Sequence, residues 1–159
     1  MSDNALRQQL VNLLAQRQAH MSFEDAVADF PEAHFNTTPP NMDSSFWHLL
    51  EHIRLAQWDI LDYIRNPAYE YRDWPRDYWP PLGARADRTA WQATVSQFLA
   101  DRQALVDIIE DPETDLLAQI PHGEPGHTVL REVLVAADHN AYHIGEFAVL
   151  RQTLGLWPE

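Results

Sequence analysis

Residues 128–154 contain no proline and carry Asp138-His139-Asn140-Ala141-Tyr142-His143-Ile144-Gly145, the stretch that most limits what this chain can become. At about 100° per residue, His139 and His143 share one side of an α-helix, one turn apart, where both imidazoles can reach a single metal ion. Glu132, Ala136, His139, His143, Phe147, Leu150 and Leu154 continue that stripe at a four-three spacing. Apolar residues flank the histidines, so the stripe is predicted to face inward, and a third ligand must come from another element.

The remaining punctuation predicts three more long helices. Ser2 or Asp3 is expected to cap a first helix running to about His20, with Leu6, Leu10, Leu13, Leu14 and Arg17 on one face. Ser22 caps a short piece over residues 23–30, which Pro31 stops. Asp43, Ser44 or Ser45 caps a second long helix over residues 45–64, with the stripe Phe46, Leu49, Ile53, Ala56, Ile60 and Ile64. Asp87 caps a third over residues 87–110, and Thr128 caps the last, with Gly155 as its stop. No segment alternates in the manner of a strand. The expected fold is all-α, a four-helix bundle with at least one crossover connection, formed by a single domain spanning residues 1–159.

Between the second and third helices, residues 69–86 interleave Tyr69, Tyr71, Trp74, Tyr78 and Trp79 with Pro75, Pro80 and Pro81. Proline forbids a regular helix there. The aromatic content points to a loop folded back on the body, covering one end of the core or serving as a lid.

Composition removes several functions. A net charge of -13 with no local basic cluster speaks against nucleic acid and anionic membranes. The absence of cysteine excludes disulfides and thiolate ligands, so a metal must be held by His, Asp or Glu, and it suits a cytoplasmic protein. The first helix is too interrupted by polar residues for a signal or membrane segment. There is no His-Glu-x-x-His motif, no glycine-rich phosphate loop and no Gly-x-Ser-x-Gly elbow.

The second helix offers His48 and His52 as the third ligand. From the centre of its apolar stripe His52 lies roughly 80° away and His48 roughly 120°. His52 is therefore expected at the edge of the buried face and His48 nearer solvent. Three imidazoles, His52, His139 and His143, leave an open coordination position of the kind catalytic zinc sites keep, and imidazole equally suits nickel, copper, iron or cobalt. Such a site can activate water or an exogenous thiol. Glu132, on the same stripe, is the expected carboxylate beside it, whereas Asp138, Glu146 and Glu51 are expected to point elsewhere. Tyr142 and Asn140 read as packing or interface groups, and His20, His34, His122 and His127 as surface or loop residues.

With these residues in place the chain resembles the DinB/YfiT-like superfamily. The resemblance rests on Ser45-Phe46-Trp47-His48-Leu49-Leu50-Glu51-His52, on Asp138 through Glu146, and on the ending Leu150-Arg151-Gln152-Thr153-Leu154-Gly155. It implies a four-helix bundle, a His52, His139 and His143 triad holding a divalent metal, zinc or nickel above all, and a homodimer. It also implies a choice among thiol S-transferase, thiol-dependent isomerase and hydrolase activities on a small electrophile, with a low-molecular-weight thiol or other small molecule as partner. The competing expectation is a non-catalytic helical module with structural histidines, using residues 69–79 as a dimer or partner surface.

Overall fold

The computed structural model describes residues 2–158, which form five α-helices: α1 (Ser2–Ala15), α2 (Phe23–Val27), α3 (Phe46–Arg65), α4 (Arg88–Glu110) and α5 (Val129–Thr153). A single 3-10 turn, Glu32–His34, lies between α2 and α3. No strand occurs among the described residues beyond one isolated bridge between Gln119 and Thr128. Side-chain oxygens of Ser22, Ser45, Asp87 and Thr128 each accept a backbone N–H three residues on, so these are the N-caps of α2, α3, α4 and α5. Past the end of α5, Gly155 takes a φ of 64° and its N–H bonds to the Gln152 carbonyl, a left-handed turn that a residue with a Cβ adopts less readily.

Two helices are shorter than their patterns suggest. α1 stops at Ala15 instead of reaching His20, because residues 16–20 are all exposed and a helical turn without a packed face is not self-supporting. Its buried side is Leu10, Val11 and Leu14, while Leu13 is exposed. The helix already includes Asp3, which stands in its first turn bound to Arg7 and does not cap it. The side chain of Ser2, the other expected cap, lies outside the described residues. α2 ends at Val27, and Asp29 follows in the left-handed region at φ 51°.

Packing follows two apolar clusters. Leu10 and Leu14 of α1 meet Leu61, Leu105, Ile109, Val133 and Ala136 in one. Phe23 and Phe30 meet Phe46, Leu50, Ile53, Phe98 and Phe147 in the other. Each fully buried Leu, Ile or Phe contributes about 1.5–3 kcal/mol. α3 and α1 each pack against both α4 and α5. A polar bridge joins α3, α4 and α5: buried Gln57 donates to the Phe98 carbonyl at 2.8 Å and accepts from Asn140 at 2.9 Å. Shifting one helix against the next would strand those amides unpaired in the interior, so the bridge holds α3 and α5 in the register that sets His52 opposite His139 and His143.

Candidate metal centre

α3 and α5 bring His52, His139 and His143 together. The Nε2 atom of His52 lies 3.2 Å from Nε2 of His143 and 3.2 Å from Nε2 of His139. One ligand atom from each residue lies within 4.8 Å of the others. Two nitrogens bound to one tetrahedral zinc ion at about 2.0–2.1 Å stand about 3.3 Å apart, so the observed spacing suits a shared cation.

The outer nitrogens decide what the inner ones present. Nδ1 of His52 faces the Tyr78 carbonyl at 2.9 Å, and a carbonyl only accepts, so Nδ1 carries the hydrogen and Nε2 is a bare lone pair. Nδ1 of His143 donates in the same way to the Glu146 carboxylate at 2.7 Å. His52 therefore turns its Nε2 lone pair toward Nε2 of His143 at 3.2 Å, a gap that a cation or a proton between the two nitrogens fills. Nδ1 of His139 is buried without a partner. Burial, then the neighbouring His143 and His52, pushes His139 down to about 4, and burial also holds His52 below its ordinary value. Both rings are consequently neutral near pH 7, the state in which imidazole binds metal.

These three histidines lie within residues 15–147, which match the family described as the DinB superfamily. The chain belongs to the DinB superfamily. Neither the curated proteins nor the solved structures yielded a match.

Around the triad, this DinB-superfamily chain departs from the expected arrangement at three residues, His48, Glu146 and Glu132. His48 is buried at 4% exposure instead of facing solvent, with Nε2 donating to the Pro81 carbonyl at 3.0 Å and Nδ1 accepting from the Ser45 hydroxyl at 2.6 Å. The loop that follows α3 covers it, which a count of apolar residues on α3 could not reveal. Glu146, expected to point away, is the carboxylate at the site; three residues after His143 and seven after His139, it shares their face. Glu132 is buried, but two turns away, bound to Arg131 at 2.6 Å and 3.5 Å from His127. Tyr142 and Asn140 act as the expected packing and interface groups: the Tyr142 ring stands perpendicular to His143 while 71% exposed, and Asn140 is the interior bridge to Gln57.

The aromatic loop supplies the part of the site that periodicity missed. Trp79 lies flat on the His52 ring, centroids 3.9 Å apart and planes 4° from parallel, and Trp74 stands at 64° to it with centroids 6.1 Å apart. His122 and His127 serve the opposite end of α3, bonding the Tyr63 carbonyl and hydroxyl at 2.7 and 2.9 Å, and take no part in the triad. His20 and His34 bond only to nearby residues, the Met21 carbonyl and the Thr37 hydroxyl. Among the described residues, no helix is long and apolar enough to cross a membrane.

Proposed function

We propose that His52, His139 and His143 hold one divalent metal ion, zinc or nickel, and that the protein is a metal-dependent thiol S-transferase or hydrolase acting on a small electrophile. The observation that carries the reading is the convergence of the three imidazoles, with Nε2 of His52 3.2 Å from Nε2 of both His139 and His143 and the Nδ1 atoms of His52 and His143 turned outward to Tyr78 and Glu146. A divalent ion held by these three rings would supply Lewis acidity, favouring the deprotonated form of a thiol or water beside it. The chain's own residues hold the geometry. Glu146 turns His143, the Tyr78 carbonyl and Trp79 turn His52, and burial keeps His139 unprotonated. With no cysteine in the chain, the thiol in a transfer reaction is a separate small molecule.

The reading extends to a cytoplasmic homodimer of single-domain four-helix bundles. The packing of α1 and α3 each against α4 and α5 supports a bundle in which the connections 16–45 and 111–128 cross an end. Metal analysis of purified protein, followed by turnover of a chromogenic aryl halide with several low-molecular-weight thiols, tests the activity. About one equivalent of zinc or nickel and thiol-dependent turnover, lost in His139→Gln, is the expected result. A metal-free protein that ignores added zinc and nickel ends the proposal.

A second reading, a non-catalytic module whose aromatic loop meets a partner, draws on Tyr71, Trp74 and Leu82, which are 66%, 69% and 75% exposed. Under it Trp74→Ser changes the sedimentation coefficient; unchanged sedimentation removes that surface.

A further inference from the structure

His48, His52, Asp59 and Tyr63 are separated by four, seven and four residues, so they form one stripe along α3. All four are buried, and loop residues from the connection 66–87 contact each of them. This polar stripe is thus a second buried face of α3, distinct from the apolar one that meets α4 and α5.

Asp59 is its anchor. At 7% exposure its carboxylate accepts from the Tyr69 hydroxyl at 3.0 Å, the Tyr78 hydroxyl at 2.6 Å and Arg72 Nε at 3.0 Å, and the Arg72 guanidinium lies 4.0 Å over the Trp58 ring. Both phenols donate to this one carboxylate, which packing keeps from solvent. Tyr78 is held at two points, its hydroxyl on Asp59 and its carbonyl on the Nδ1–H of His52. Trp79, the next residue, is the ring that stacks on His52.

We infer that Asp59 and Tyr78 are positioning residues: Asp59 fixes Tyr78, and Tyr78 holds His52 as the Nδ1–H tautomer with its Nε2 lone pair facing His139 and His143. A substitution cannot delete the Tyr78 carbonyl, so the side-chain control of His52 lies seven residues further along α3, at Asp59. The consequence for metal affinity rests on the function proposed above; the consequence for the tautomer does not. Loss of a partner that orients a histidine ligand weakens metal binding about 10- to 100-fold.

Long-range proton–nitrogen spectra of the metal-free protein read the tautomer directly, and cobalt titration reads the affinity. His52 of the wild type is expected as Nδ1–H, and Asp59→Ala and Tyr78→Phe are expected to convert it to a mixture and to weaken cobalt binding about tenfold. Asp59→Asn, which keeps an acceptor oxygen, is expected to stay within about threefold of wild type, a rescue that general loosening of the loop does not predict. If Asp59→Ala does not fold, Tyr78→Phe carries the test alone. A cobalt-binding wild type whose tautomer is unchanged in the folded variants overturns the inference and leaves the metal proposal intact. Tautomer loss in variants of a wild type that takes up no cobalt supports the inference and removes the metal proposal.

Discussion

Replacing Glu146 probes the carboxylate at the site, a residue expected to point elsewhere although helical spacing puts it on the His139 and His143 face. It accepts from His143 Nδ1 at 2.7 Å, with the two side chains 13% and 27% exposed. A hydrogen bond to an ionised partner contributes about 1.5–3 kcal/mol and a neutral one about 0.5–1.5. Glu146→Gln keeps an oxygen at the same reach and removes the charge, so it forfeits about 1 kcal/mol of His143 orientation and basicity. At about 1.4 kcal/mol per tenfold, that raises the metal dissociation constant about fivefold. Glu146→Ala removes the acceptor altogether and raises it about 10- to 100-fold. Competition for zinc against a chromophoric chelator at fixed pH and salt measures both, with circular dichroism confirming the fold. An Ala variant within twofold of wild type would refute the reasoning, because His143 would then be oriented without Glu146. Equal losses in Gln and Ala would refute its second step, the separation of charge from hydrogen bonding.

Three further outcomes follow from the same geometry. In metal-free protein, the unfolded chain protonates His139 near the usual 6.5 and the folded chain only near about 4; stability is therefore full above 6.5 and falls as pH drops toward about 4, by at most about 3 kcal/mol. Urea melts of chelator-treated protein across that window check this, and a flat profile contradicts it. His48→Ala leaves the Pro81 carbonyl and the Ser45 hydroxyl without their imidazole and costs about 1–3 kcal/mol in a chemical melt, while the metal stoichiometry stays at wild type; loss of the ion would place His48 among the ligands. Gly145 lies inside α5 with nothing within 4 Å of where a Cβ would stand, so Gly145→Ala stabilises by about 0.5–1 kcal/mol in thermal unfolding, and a destabilised variant would mean that another chain occupies that space.

Much of the frame is legible in the chain because its signals are local. Ser22, Ser45, Asp87 and Thr128 cap helices through hydrogen bonds to residues three positions on, and the apolar periodicity of α3, α4 and α5 needs no knowledge of their neighbours. The convergence of His52, His139 and His143 is legible for the same reason: helical spacing sets a direction for each ring, and inward directions from packed helices meet. The end of α1 was not legible, since Arg17 continues the spacing but is exposed and reaches only Asp25, at 3.4 Å. Glu146 was legible in principle, being on the His139 and His143 face. The burial of His48 and Asp59 was hidden by a different cause. A polar stripe reads as solvent-facing until a loop is known to cover it, and the path of residues 66–87 depends on Tyr69, Arg72 and Tyr78 finding Asp59 across the fold. The stacking of Trp79 on His52 follows from that path and has no local signal at all.

The most direct measurement is the X-ray absorption spectrum of protein loaded with one equivalent of zinc, compared with His52→Gln. Three imidazole nitrogens at about 2.0–2.1 Å, falling to two in the variant, are the predicted result. A spectrum dominated by oxygen ligands, or one that the variant leaves unchanged, would contradict the account.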